Sequence, residues 1–79
     1  MSYQKIESER VFNFIIDNPN INLGRELIVE SVKGIWFLWT IEGINTTDGL
    51  ISLFCLRSAI NADLRTFQNW EKVSFKDGG

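Results

Sequence analysis

The chain has no histidine, a single cysteine (Cys55) and a single proline (Pro19). Without histidine, a serine or cysteine nucleophile lacks its usual partner base, and a zinc ion lacks one of its usual ligands. One cysteine cannot form an intramolecular disulfide, and a lone cysteine is typical of a reducing compartment. We therefore expect a non-enzymatic, cytoplasmic protein that holds no metal and no cofactor.

Clustered positive charge and long apolar runs are also missing. The eight lysines and arginines are scattered among ten aspartates and glutamates, and the net charge is −2. Non-specific binding to nucleic acid depends on clustered cations that displace counterions, so nucleic acid is not the expected partner. The longest apolar runs, residues 35–41 and 50–56, fall far short of the roughly 20 residues that a membrane span needs. Because the N-terminus also lacks the pattern of a signal peptide, no association with a membrane is expected.

The first half of the chain predicts a helix followed by a β-hairpin. Residues 2–17 predict an N-terminal helix, although the segment VFNFII within it is also rich in strand formers. Residues 25–32 and 35–42 predict two strands joined by a type I turn that ends with Gly34 in the left-handed conformation. A helix over residues 23–33 that stops at Gly34 is the alternative.

The second half predicts a third strand and a second helix. Residues 50–57 alternate along a strand in which both faces carry apolar side chains, with Cys55 as a packing residue. Residues 58–70 predict a helix, because Ile60, Leu64 and Phe67 recur at the spacing of one helical face. Ser58 or Asn61 would provide the N-terminal cap of this helix.

These elements predict a single α+β domain over residues 1–79. Its sheet is expected to be small and antiparallel, with three to four strands, the last being the short segment 72–75. The N-terminal helix and the helix near the C-terminus would pack on this sheet, and residues 77–79 would fray as a tail. An SH3-like small β-barrel with one helix is the alternative fold.

The predicted strand over residues 35–42 is apolar on both faces. Its period of two places Trp36, Leu38 and Thr40 on one face and Ile35, Phe37, Trp39 and Ile41 on the other. Either both faces are covered within the chain, or one face binds a protein, which includes a second copy of the chain. A third interpretation is that the aromatic rings stack on nucleic-acid bases, but no lysine or arginine lies between Gly34 and Leu56.

We therefore expect a small accessory protein that binds and modulates or inhibits a larger protein partner and that self-associates, as a homodimer or larger homo-oligomer. Its predicted partner-binding residues are Trp36, Phe37, Trp39 and Trp70. The many isoleucines and asparagines, whose codons are A/T-rich, favour a phage or mobile-element origin. A nucleic-acid-binding module with an aromatic sheet face is the alternative function. Catalysis by Glu26 and Glu30, which would share one face of a strand, is the least favoured interpretation.

Overall fold

The computed structural model describes residues 3–31 and 33–76, which form helices packed on one antiparallel sheet. In chain order the elements are α1 (Tyr3–Asp17), α2 (Pro19–Asn22), β1 (Glu26–Glu30), β2 (Trp36–Asn45), β3 (Leu50–Cys55), β4 (Ser58–Ala62), α3 (Leu64–Asn69) and β5 (Lys72–Phe75). The sheet order is β4-β3-β2-β1-β5. The predicted α+β class is confirmed, but the sheet has five strands, not three to four. Its outer strands, β4 and β5, lie at opposite edges, so the described sheet is open and the barrel alternative is wrong.

The helix predicted at the N-terminus is present, and its end is fixed by asparagine side chains. The Asn18 backbone N–H and side-chain amide both donate to the Phe14 carbonyl, at 3.1 and 3.0 Å. The buried Asn22 side chain donates to the carbonyls of Asn18 (2.8 Å) and Phe14 (3.3 Å). These bonds satisfy carbonyls that have no partner within α1, so the Asn-Pro segment ends one helix and places the chain for β1. No helix in the described part of the chain is long and apolar enough to span a membrane.

The predicted hairpin of β1 and β2 is confirmed together with its turn. Gly34 has a φ of +75°. Its N–H donates to the Ser31 carbonyl at 3.0 Å, while the Ser31 N–H donates to the Ile35 carbonyl at 2.9 Å. These hydrogen bonds are those of the predicted turn with a glycine bulge, and the alternative helix over residues 23–33 is wrong. The predictions for Val32 and for residues 77–79 concern positions outside the described residues.

The helix predicted over residues 58–70 is the main error. Residues 58–62 form β4, and the helix is the short α3, which begins only after Asp63. Asp63 accepts the Thr66 backbone N–H at 2.9 Å, and Thr66 Oγ1 accepts the Asp63 N–H in return. This reciprocal capping box stabilises a helix start at this point, whereas Ser58 and Asn61 lie in the strand and cap nothing.

The core lies between α1, α3 and one face of the sheet. Its buried apolar side chains are Phe12, Ile15, Leu27, Val29, Trp39, Ile41, Ile51, Leu53, Ala62, Phe67, Val73 and Phe75. Phe12 of α1 meets Phe67 of α3 edge-to-face, with ring centroids 5.2 Å apart. The two helices therefore share one side of the sheet, which leaves its other face as a candidate surface.

Candidate protein-binding surface

The tryptophans at the start of β2 lie on opposite faces of the sheet. Trp39 is buried against the helices and is only 9% exposed, whereas Trp36 is 55% exposed on the face that the described helices do not cover. The strand periodicity predicted this separation, because successive side chains of a strand alternate between the faces. The helices thus cover one side of the aromatic strand, and Trp36 stays accessible on the other.

The four predicted partner-binding residues do not form one surface. Trp36 and Phe37 are exposed, while Trp39 lies in the core. Trp70 is half-buried and packs on Phe67, with ring centroids 5.1 Å apart. Trp39 and Trp70 therefore contribute to packing, whereas Trp36 and Phe37 are the more exposed of the four predicted residues.

Exposed apolar side chains concentrate at one end of the sheet. The register places Trp36 of β2 opposite Glu30 and Thr40 opposite Phe54 of β3, so the β1–β2 and β3–β4 turns lie at the same end. We call this surface the apolar end; it consists of Ile35, Trp36, Phe37, Leu38, Phe54 and Leu56, all of them exposed. Its residues lie on both faces of β2 and around the two turns, and such a concentration of exposed apolar side chains on a small protein is typical of an interaction site.

Leu56 is the most exposed residue of the apolar end and the one with an unusual backbone. It is 88% exposed and has a φ of +54°, the only non-glycine residue with a positive φ in the described part of the chain. It is the first residue of the two-residue turn between Cys55 and Ser58, a position at which positive φ normally selects glycine. At this position Leu56 combines a backbone conformation that is unfavourable for a residue with a side chain and an apolar side chain in solvent.

An open cavity of about 600 Å³ lies on the helix side of the apolar end. It is lined by Phe37, Trp39, Cys55, Leu56, Arg57 and Ser58, and its volume is within the range that accommodates a small ligand or a large side chain. Cys55 is half-buried and packs against the core, as predicted. The lining is apolar apart from Ser58 and the single cation Arg57.

The charged side chains of β1 and β5 lie on the opposite side of the sheet from β3 and β4. Glu26 of β1 pairs with Lys76 at 3.4 Å, and Glu30 lies opposite Lys72 of β5. Residues four apart on a strand are about 13 Å apart, whereas the paired carboxylates of glycosidases lie about 5–9.5 Å apart. Glu26 and Glu30 therefore do not have the spacing of such a catalytic pair. No cluster of three or more histidine, cysteine or carboxylate side chains able to hold a metal occurs among the described residues.

Sequence reasoning missed four members of the surface: Ile35, Leu38, Phe54 and Leu56. A signal existed for Leu38, which shares its strand face with Trp36, and for Phe54, which alternates with inward-facing Leu53. No signal existed for Leu56, because Leu-Arg is not a recognisable turn dipeptide. No family model, curated protein or solved structure matches this chain.

Proposed function

We propose that the chain is a non-enzymatic protein-binding module that captures a larger protein through the apolar end and thereby modulates or inhibits it, and that it self-associates. The observation that carries the proposal is the concentration of exposed apolar side chains around the two turns at one end of the sheet. Covering these residues with a partner would gain hydrophobic free energy.

The composition of the apolar end supports a protein partner. Tryptophan is enriched among the residues that dominate binding energy at interfaces, and Trp36 lies beside Leu38 and Phe37 on the same strand. Glu30 and Lys33 flank the aromatic residues in the β1–β2 hairpin, which gives the patch a polar rim. An apolar centre with a polar rim is the usual anatomy of a protein interface.

The charge distribution argues against the nucleic-acid alternative. No lysine or arginine lies in β2 or β3, the strands that carry Trp36, Phe37 and Phe54, and the adjoining turns carry the isolated cations Lys33 and Arg57. Sheets that stack bases need nearby cations to hold the phosphates. The lysines of the open face, Lys72 and Lys76, lie opposite Glu30 and Glu26, which offsets their charge.

The experiment is a capture of partners from cells by the wild-type chain and by two matched variants, followed by a binding measurement with the purified partner. Leu56→Ser changes the apolar end at a residue with few contacts to the core. Ile21→Ser is the control, because Ile21 is an apolar residue that is 62% exposed on α2, away from the apolar end. We expect the captured partner to bind the Leu56→Ser variant at least tenfold more weakly and the Ile21→Ser variant as tightly as wild type.

Two outcomes would contradict the proposal. One is a purified partner whose affinity is unchanged by Leu56→Ser and by Trp36→Ala, because a partner held elsewhere does not need the apolar end. The other is binding of single-stranded DNA or RNA that weakens steeply with salt, which would favour the nucleic-acid alternative.

A further inference from the structure

The strand β4 forms an edge of the sheet whose outer backbone groups have no partner in the described structure. Cys55 and Ser58 lie opposite each other on the two sides of a two-residue turn, and Leu53 lies opposite Ile60. In an antiparallel ladder, alternate residues bond to the neighbouring strand, so Ser58, Ile60 and Ala62 bond to β3. The N–H and C=O groups of Ala59 and Asn61 therefore point away from the sheet, and no backbone hydrogen bond to another described element satisfies them.

This edge lacks the features that normally keep sheet edges apart. Natural edges are protected by charged side chains, proline, bulges or very short strands. β4 has five residues, Ser-Ala-Ile-Asn-Ala, with no charge and no proline, and its pairing with β3 is regular throughout. The opposite edge, β5, is shorter and presents Lys72, with Lys76 directly after it. The contrast indicates that β5 is protected and that β4 is open to pairing.

We propose that β4 pairs antiparallel with β4 of a second copy of the chain, about a two-fold axis at Ile60. In this register Ala59 of each copy lies opposite Asn61 of the other, and each such pair can form two hydrogen bonds through the outward-pointing groups. The result is a continuous sheet of ten strands, five from each copy. This proposal rests on the proposed function in one respect, because it names β4 as the surface through which the chain self-associates. It does not depend on the larger protein partner.

The second copy fits this edge better than an arbitrary strand, because the edge is complementary to itself. The unpaired groups are placed symmetrically about Ile60, so every donor meets an acceptor of the other copy. Ala59 and Asn61 carry no charge, so the two-fold axis brings no like charges together. The Ser52 hydroxyl of β3 also donates to Asn61 Oδ1 at 2.9 Å, and this hydrogen bond fixes the Asn61 side chain on the open face. Ile60 packs against the core and points away from that face.

The two-fold axis of such a pair stands perpendicular to the sheet. Helices α1 and α3 of the two copies would then lie on the same side, and the two apolar ends would point in opposite directions. Neither apolar end would be covered, so a dimer could hold two partner molecules or two sites of one partner. Because a single pair of short strands buries less than a standard interface of about 1,600 Å², dimerisation should be weak and should depend on protein concentration.

The test is the molar mass in solution, measured by light scattering across a concentration series, for wild type and three double variants. Ala59→Lys/Asn61→Lys and Ala59→Glu/Asn61→Glu each place like charges opposite one another across the axis. Thr46→Lys/Thr47→Lys is the control, because it adds the same charge on the exposed β2–β3 turn. Far-UV circular dichroism establishes that all variants are folded.

We expect wild type and the control to shift from 9.1 kDa towards twice that mass as concentration rises, and both edge variants to remain monomers. An equimolar mixture of the lysine and glutamate variants should regain the dimer, because the register then places opposite charges together. A wild type that stays monomeric to millimolar concentration would overturn the proposal, as would a dimer that the edge variants leave unchanged. None of these variants alters the apolar end. An edge variant that no longer dimerises but still binds the partner would therefore show that the two surfaces act separately, so that failure of one proposal is distinguishable from failure of the other.

Discussion

The replacement of Trp39 and of Trp36 by alanine, one at a time, tests whether the two faces of β2 differ as described. Trp39 is 9% exposed, so its truncation removes most of a tryptophan side chain from the core. A large aromatic residue truncated to alanine in a core costs about 3–5 kcal/mol. For a domain of this size, with a total stability of roughly 4–12 kcal/mol, such a loss is a large fraction of the free energy of unfolding, and at the low end of this range it unfolds the chain.

Trp36 should respond differently, because little more than half of it is already in water. At about 25 cal/mol per Å² of apolar surface, the part that folding covers accounts for at most about 2 kcal/mol. The measurement is urea unfolding followed by circular dichroism, with Trp36→Phe and Trp39→Phe as conservative controls. We expect the Trp39→Ala variant to lose more free energy of unfolding than the Trp36→Ala variant, by at least about 1 kcal/mol.

Equal losses for the two alanine variants would refute the reasoning. If Trp36→Ala unfolded the chain, its ring would be part of the core and the apolar end would lose its main anchor. If Trp39→Ala had no effect, the helices could not be packed on that face. Trp39→Phe should lower the free energy of unfolding by less than its loss of volume implies. The indole Nε1 is buried with no acceptor among the described residues, so the substitution also removes an unpaired buried donor, which is itself destabilising.

Three further predictions concern single residues outside this pair. Replacing Leu56 by glycine should raise the free energy of unfolding by up to about 1 kcal/mol, since glycine adopts positive φ without strain, and should weaken partner binding. Urea unfolding measures the first effect and titration with the partner the second. A loss of stability would contradict this prediction. The Thr66 backbone N–H lowers the pKa of Asp63 below its ordinary value of 3.8, so the stabilisation by the charged carboxylate is present above pH 3.8 and is lost as pH falls through the lowered pKa. Asp63→Ala should therefore lower the melting temperature at pH 7 and have little effect at strongly acidic pH, which thermal melts at both pH values would show. Replacing buried Asn22 by alanine removes its bonds to two carbonyls and the 2.9 Å bond from Arg25, and should cost about 2–3 kcal/mol in urea unfolding; a loss below about 0.5 kcal/mol would show that these bonds contribute little.

The sequence predicted the elements whose signals are local. Gly34 marked the hairpin turn because a left-handed residue closes a type I turn with a bulge, and the alternation in IWFLWTI assigned Trp36 and Trp39 to opposite faces. The Asn-Pro segment marked the end of α1, because the residue before proline avoids the helical conformation. Each of these signals acts through the backbone of a few neighbouring residues.

The errors came from features that depend on tertiary structure. Ile60, Leu64 and Phe67 have helical spacing, but Ile60 faces the core from a strand and the other two from α3, so their common direction arises from packing of separate elements. The turn at Leu56 carries no glycine or asparagine, and its strain is sustained by the paired strands around it. The sequence around β2 also carries no signal for which of its faces the helices cover. That choice depends on the side of the sheet on which α1 and α3 pack.

The central claim is that the apolar end binds a protein partner, and calorimetric titration of the purified partner tests it most directly. Wild type, Trp36→Ala and Ile21→Ala would be titrated under one buffer condition, each after its fold has been verified by circular dichroism. A tryptophan that anchors an interface contributes at least about 2 kcal/mol, which is roughly a 30-fold change in Kd. The account predicts that loss for Trp36→Ala and an unchanged Kd for Ile21→Ala; equal Kd values for all three proteins would contradict it.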